Sequence, residues 1–127
     1  MINLKDVYLH DAYISGLEIK TVNDHFDYIA INLESSEFKD EYGTDKIKVV
    51  FEGCYKAKLN LQMWISGTDS IRNCYYKEES DWLKDVQTLH YRGLLPKSKE
   101  FKHIIFELNT SGSVIEILAS YIKIESL

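Results

Sequence analysis

The chain has 127 residues, 45% hydrophobic, with a formal net charge of -5 at neutral pH. That length suits a single domain spanning 1–127, able to bury roughly two thirds of the surface its unfolded form exposes. The acidic balance argues against nucleic acid, whose backbone is held by clustered Lys and Arg. The sequence also lacks the run of roughly 18 apolar residues that a membrane span needs, so it reads as a soluble cytoplasmic protein with no membrane partner.

In chain order, Ala12 to Ile19 reads as the first strand. Ile14 and Leu17 stand three apart, out of the period of two, and Gly16 supplies the permissive backbone of a bulge. Phe26 to Leu33 alternates Ile29/Ile31/Leu33 and reads as its antiparallel hairpin partner. The run Glu34, Glu37, Asp40, Glu41 and Asp45 makes a polar connection. Ile47 to Tyr55, and Leu59 to Ile65 with its alternation Leu59/Leu61/Met63/Ile65, are expected to be two strands that pair with each other.

Ser80 to His90 places Trp82, Leu83, Val86 and Leu89 at helical spacing. Ser80 is a suitable N-cap, Asp81 suits the first turn and Gly93 can end the segment. Pro96 falls in the connection after it. Phe101 to Leu108 then forms a hairpin with the final segment, Ser113 to Ser126, through Asn109-Thr110-Ser111-Gly112. In that last strand the apolar phase slips from Ile115/Ile117 to Ile122/Ile124, which requires a bulge near Ala119-Ser120 or two short strands joined there. The expected fold is α+β: a mainly antiparallel, strongly bent sheet, sandwich or partly open barrel of about six or seven strands with one short helix.

Motifs for chemistry are sparse. There is no Gly-rich phosphate loop, nucleophile elbow or zinc-type His-Glu-x-x-His. Cys54 and Cys74 lack companions at metal-ligand spacing, so they read as packed thiols, with no metal and no cofactor expected. No catalytic residue is assigned. His10-Asp11 is a sequential pair at the entry of the first strand, where Asp11 suits a hydrogen-bonding role. His25 reads as a turn residue, and His90 as a cation at a helix C-terminus. An enzyme or ligand-binding reading needs His10, Asp11 and His103 to converge in a pocket between sheet and helix.

The aromatic and acidic residues around the helix start suggest a different use. Tyr75 and Tyr76 precede Glu78, Glu79 and Asp81, a composition found where interfaces meet basic partners; Trp64 joins this candidate set if it lies on a surface. The competing reading is structural, with Trp82 packing the helix and the tyrosines edging the core.

Leu9-His10-Asp11-Ala12-Tyr13-Ile14-Ser15-Gly16-Leu17-Glu18-Ile19, the Trp82 segment, Phe101 to Phe106 and Gly112 to Ala119 together resemble small bacterial β-rich proteins. Among these the chain is similar to immunity proteins of polymorphic toxin systems, the immunity-protein-50-like group. The resemblance implies a cytoplasmic single-domain protein that binds and neutralises a toxin domain, with no catalytic residue to carry over, and the acidic clusters would steer a basic toxin domain toward it. A sheet edge used for homodimerisation is the remaining alternative.

Overall fold

The computed structural model describes residues 1–20, 27–62, 69–94, 100–109 and 112–127. His25, Met63, Trp64, Ile65 and Pro96 lie outside them. The strands are β1 (Tyr13–Lys20), β2 (Asp27–Glu34), β3 (Lys46–Asn60), β4 (Ile71–Tyr76), β5 (Lys102–Leu108) and β6 (Val114–Ser126). They form one six-stranded sheet in the order β1-β2-β3-β6-β5-β4, and every neighbouring pair is antiparallel. Helix α1 (Lys39–Tyr42) precedes β3, and α2 (Asp81–Tyr91) joins β4 to β5. This is an α+β bent sheet, as the alternation of short strands and one amphipathic segment predicts.

The sheet curls without closing. Asp11 donates its backbone N–H to the Ile71 carbonyl at 2.8 Å, Ile71 returns one to Ala12 at 2.9 Å, and Ile14 bonds to Asp69 at 2.9 Å. Tyr13 bridges Ser70 antiparallel at the same corner. Because β1 and β4 leave this corner in opposite directions, the two edge strands overlap only at their first residues.

One face of the curled sheet holds the main core. Ile29, Ile31 and Leu33 of β2, Ile47, Val49 and Phe51 of β3, Ile104, Phe106 and Leu108 of β5, and Ile115, Ile117 and Ile122 of β6 are all buried there. The Phe51 and Phe106 rings meet edge to face with centroids 5.9 Å apart, the orientation that aromatic quadrupoles favour. Phe38 plugs the same core from a 3-10 turn at Ser36–Phe38 that leads into α1. The acidic connection therefore contains short helical structure that its charge pattern does not reveal.

The phase slips are real, but the bulge beside the second sits on the neighbouring strand. In β1 the extra residue is Ser15, between the pairs Ile14↔Leu33 and Gly16↔Asn32, and both Ile14 and Leu17 pack on the core. β6 is unbroken from Val114 to Ser126, yet its core-facing residues change from Ile115, Ile117 and Ala119 to Ile122 and Ile124. β3 slips with it, from Phe51 to Cys54, through Gly53 at φ 61°. Register is kept from Ile47↔Ser126 to Cys54↔Ala119 and shifts before Lys56↔Leu118. Tyr55 of β3 is thus the inserted residue, and β6 carries no bulge at Ala119-Ser120.

The expected pairing of Ile47 to Tyr55 with Leu59 to Ile65 does not occur among the described residues, which end at Gln62 in the second run. Lys46–Asn60 is a single strand of 15 residues that pairs with β6 along its whole length. The stretch between the two apolar runs, Tyr55-Lys56-Ala57-Lys58, contains no Gly, Asn or Pro to reverse the chain, so the strand bends at Gly53 and Tyr55 instead of turning. The sequence reading also missed β4, a short edge strand in which only Ile71 is buried.

Helix α2 matches its sequence signals. Ser80 Oγ accepts the Leu83 N–H at 3.1 Å, and Gly93 follows the helix at φ 71°. Val86, Trp82 and Leu83 pack on Phe101 and Leu118. In β6, Leu118 lies between Ile117 and Ala119 of the main core, so α2 covers the opposite face of the sheet.

Candidate functional site

Three pieces of chain converge at the start of α2. The segment before β1 forms a 3-10 turn at Leu4–Asp6, and the Ile2 N–H donates to the Ile122 carbonyl at 3.0 Å, on β6 beyond the last residue paired with β5. Leu4 donates its N–H to the Tyr76 hydroxyl at 2.9 Å. The Lys77 N–H donates to the His103 carbonyl at 2.8 Å, fixing the exit of β4 beside the entry of β5.

Between these pieces lies a cleft of about 320 Å³ lined by residues that include Asn3, Lys5, Tyr76, Lys77, Glu78 and Lys102. Lys5 Nζ sits 3.7 Å from Glu78 Oε1 and 5.5 Å from the centroid of the Tyr76 ring. Tyr76 packs against the core, and burial raises the pKa of its hydroxyl. Tyr75, on the other face of β4, is 39% exposed.

The residues proposed from sequence as partner contacts thus divide. Glu78, Glu79 and Asp81 are exposed along the link into α2, and Tyr75 is exposed on β4. Tyr76 is a structural residue that anchors Leu4 and forms one wall of the cleft. Trp64 lies outside the described residues. The lysines that share this corner, Lys5, Lys77 and Lys102, had no sequence signal because they come from three separate segments.

His103 also lines the cleft, under Trp82 of α2. It points away from the main core, as the β5 alternation predicts, yet is only 2% exposed. Its ring stacks on Trp82 with centroids 4.5 Å apart and planes 8° from parallel. Nε2 lies 3.2 Å from Glu116 Oε1 of β6, and Lys56 Nζ of β3 lies 4.8 Å from the centroid of Trp82. Nε2 is therefore paired with Glu116, whereas Nδ1 has no hydrogen-bond partner among the described residues. Burial pushes the imidazole below its ordinary pKa; Glu116 pulls the other way, and Lys77 and Lys56 add to the depression. A His-Glu pair of this kind resembles an acid-base dyad, with both ring nitrogens buried at the edge of the cleft.

His10 and Asp11 occupy a different corner. The His10 Nδ1 lies 2.9 Å from the Arg72 carbonyl, and Nε2 is 3.4 Å from Asp11 Oδ2. Asp11 has φ 63° and accepts a hydrogen bond from Asn109 Nδ2 at 3.1 Å. It fixes the entry to β1, as expected, though its side chain bonds to Asn109 instead of to backbone N–H groups. His103 and Asn109 lie at opposite ends of β5, about 20 Å apart at the usual strand rise. The three candidates of the alternative pocket, His10, Asp11 and His103, therefore do not converge.

Among the described residues no three His, Cys, Asp or Glu side chains come together as a metal site. The two cysteines are thiols, not a disulfide. Burial pushes the Cys74 thiol up to about 12, which leaves it protonated and unreactive at neutral pH. Compared with known proteins, the chain matches no protein-family model, no curated protein and no solved structure.

Proposed function

We propose that this chain is a non-catalytic protein-binding module, acting as an immunity protein that occludes a basic toxin domain. The observation that carries the reading is the cleft lined by Lys5, Lys77, Lys102 and Glu78, with Glu79 and Asp81 exposed next to Glu78 in the chain and Tyr75 exposed on β4. Such a surface alternates sign over a short distance. A complementary partner sets cationic side chains against the exposed carboxylates and one acidic side chain into the cleft, so that charge pattern selects partner and register. The burial of both His103 ring nitrogens and the separation of His10 from them favour binding over catalysis.

The test is a pull-down with the tagged chain from its native host, repeated across salt concentrations. A basic protein that copurifies at low salt and dissociates as salt rises supports the reading. Glu78→Lys, Glu79→Lys and Asp81→Lys together are expected to slow association at least about tenfold, as rim charges act chiefly on the encounter rate. Unchanged association by the triple variant would remove this surface.

A further inference from the structure

Helix α2 is attached to the sheet by few side chains. Val86 is its one buried hydrophobic residue, and Trp82 and Leu83 are half-buried against Phe101 and Leu118. The largest ring in that set, Trp82, rests on the imidazole of His103. A second histidine, His90 in the last turn of α2, faces Phe101 with ring centroids 6.3 Å apart. The helix is therefore held against the sheet through a ring contact to an ionisable group.

The groups around His103 determine what a proton there does. β6 presents Glu116, β3 presents Lys56, the exit of β4 presents Lys77, and α2 presents the uncharged Trp82. A proton on the ring adds a buried cation that Lys56 and Lys77 disfavour and Glu116 favours. It also creates a second N–H donor, since a charged imidazole donates from both nitrogens. Glu116 accepts from Nε2, but Nδ1 has no acceptor among the described residues. A buried donor without an acceptor is unfavourable, and the ring relieves it by turning toward water. Turning breaks the stack on Trp82.

We infer that the Trp82-His103 stack is an acid-sensitive clasp: protonation of His103 releases α2 from the sheet while the six strands stay folded. The strands hold because their core lies on the other face and contains no histidine. Release uncovers Phe101 and Leu118 and displaces Asp81 with the helix, so the fold carries a device that couples acidity to the shape of this corner. The clasp itself does not depend on what binds there.

The chain contains two tryptophans, so a Trp64→Phe background leaves Trp82 as the reporter. Its emission, followed from about pH 8 to about pH 5, is expected to change in a single-proton step centred below the ordinary histidine value of about 6.5. His103→Phe keeps a flat ring against Trp82 without a titrating group and should abolish the step; His103→Gln gives the same reading if the Phe variant folds poorly. Glu116→Gln should move the midpoint lower, since the carboxylate favours the charged ring. Amide exchange supplies the second readout. At the acid end, Val86 to Tyr91 should lose protection while β3 and β6 retain theirs. An emission step that survives both His103 substitutions overturns the clasp. So does an acid state in which helix and strands lose protection together, or one in which α2 stays protected.

Discussion

Tyr76 illustrates how a residue that reads as surface can be a strut. Its hydroxyl ties down Leu4, 72 positions away in sequence, and so holds the segment before β1 against β4. Tyr76→Phe keeps the ring and removes the acceptor, and is expected to cost about 1 kcal/mol, read as a lower urea midpoint with an unchanged slope. Two other residues set the pH response of stability. His103 has a lowered pKa in the fold, so the unfolded chain binds a proton more readily; stability falls as pH drops through the ordinary histidine value and levels off below the folded one. Glu18 is held below the usual carboxylate range by hydrogen bonding to Lys48, whose Nζ is 2.8 Å away. Its contribution is present above the ordinary glutamate value and is lost as pH falls through the lowered one. Urea midpoints measured across pH should therefore decline in two separate windows, and His103→Gln should remove only the upper decline.

At the scale of elements, the long β3-β6 pair decides the curvature. Gly53 takes φ 61° where both strands change face, a conformation that costs an L side chain about 1–2 kcal/mol. Gly53→Ala should destabilise by that amount, measured by chemical denaturation, whereas a straight strand would gain from the same change. Helix α2 depends on its cap as well as on its clasp. Ser80→Ala removes the acceptor for the Leu83 N–H and is expected to cost about 1 kcal/mol, seen first as faster amide exchange in α2. The helix and the β5-β6 hairpin were legible because their signals are local: a cap, a 3.6 period, a turn tetrapeptide. The short strand β4 was not, because an edge strand with one buried residue has no alternation to detect. Phe38 hid for a similar reason, as a lone apolar residue within an acidic run.

For the whole molecule, the sheet order makes folding non-local. β3 and β6 pair Ile47 with Ser126 and Asn60 with Val114, so the central ladder forms only after a long loop has closed. Topologies dominated by such pairings fold in milliseconds to seconds, and stopped-flow refolding of this chain is expected in that range, not in microseconds. The corner where Asp11 to Ile14 meets Asp69 to Ile71 closes a loop of comparable length. It draws together two edges that would otherwise expose unpaired backbone along their entry residues.

The sequence alone determined the class of fold, the antiparallel pairing at both termini, the single amphipathic helix with its cap, and the phase slips of the first and last strands, all of which follow from residue periodicity and turn chemistry within a few positions. Tertiary structure decided the rest. Whether a new strand begins near Leu59 or the first one continues depends on the partner beside it, and β6 carries β3 on through Asn60. Which strand absorbs an inserted residue depends on register, which placed it at Tyr55 of β3. Whether a histidine is exposed, sealed or part of a cluster depends on what packs over it: His103 reads from sequence as an outward-facing strand residue, and only the arrival of Trp82 from α2 turns it into a buried, proton-sensitive contact.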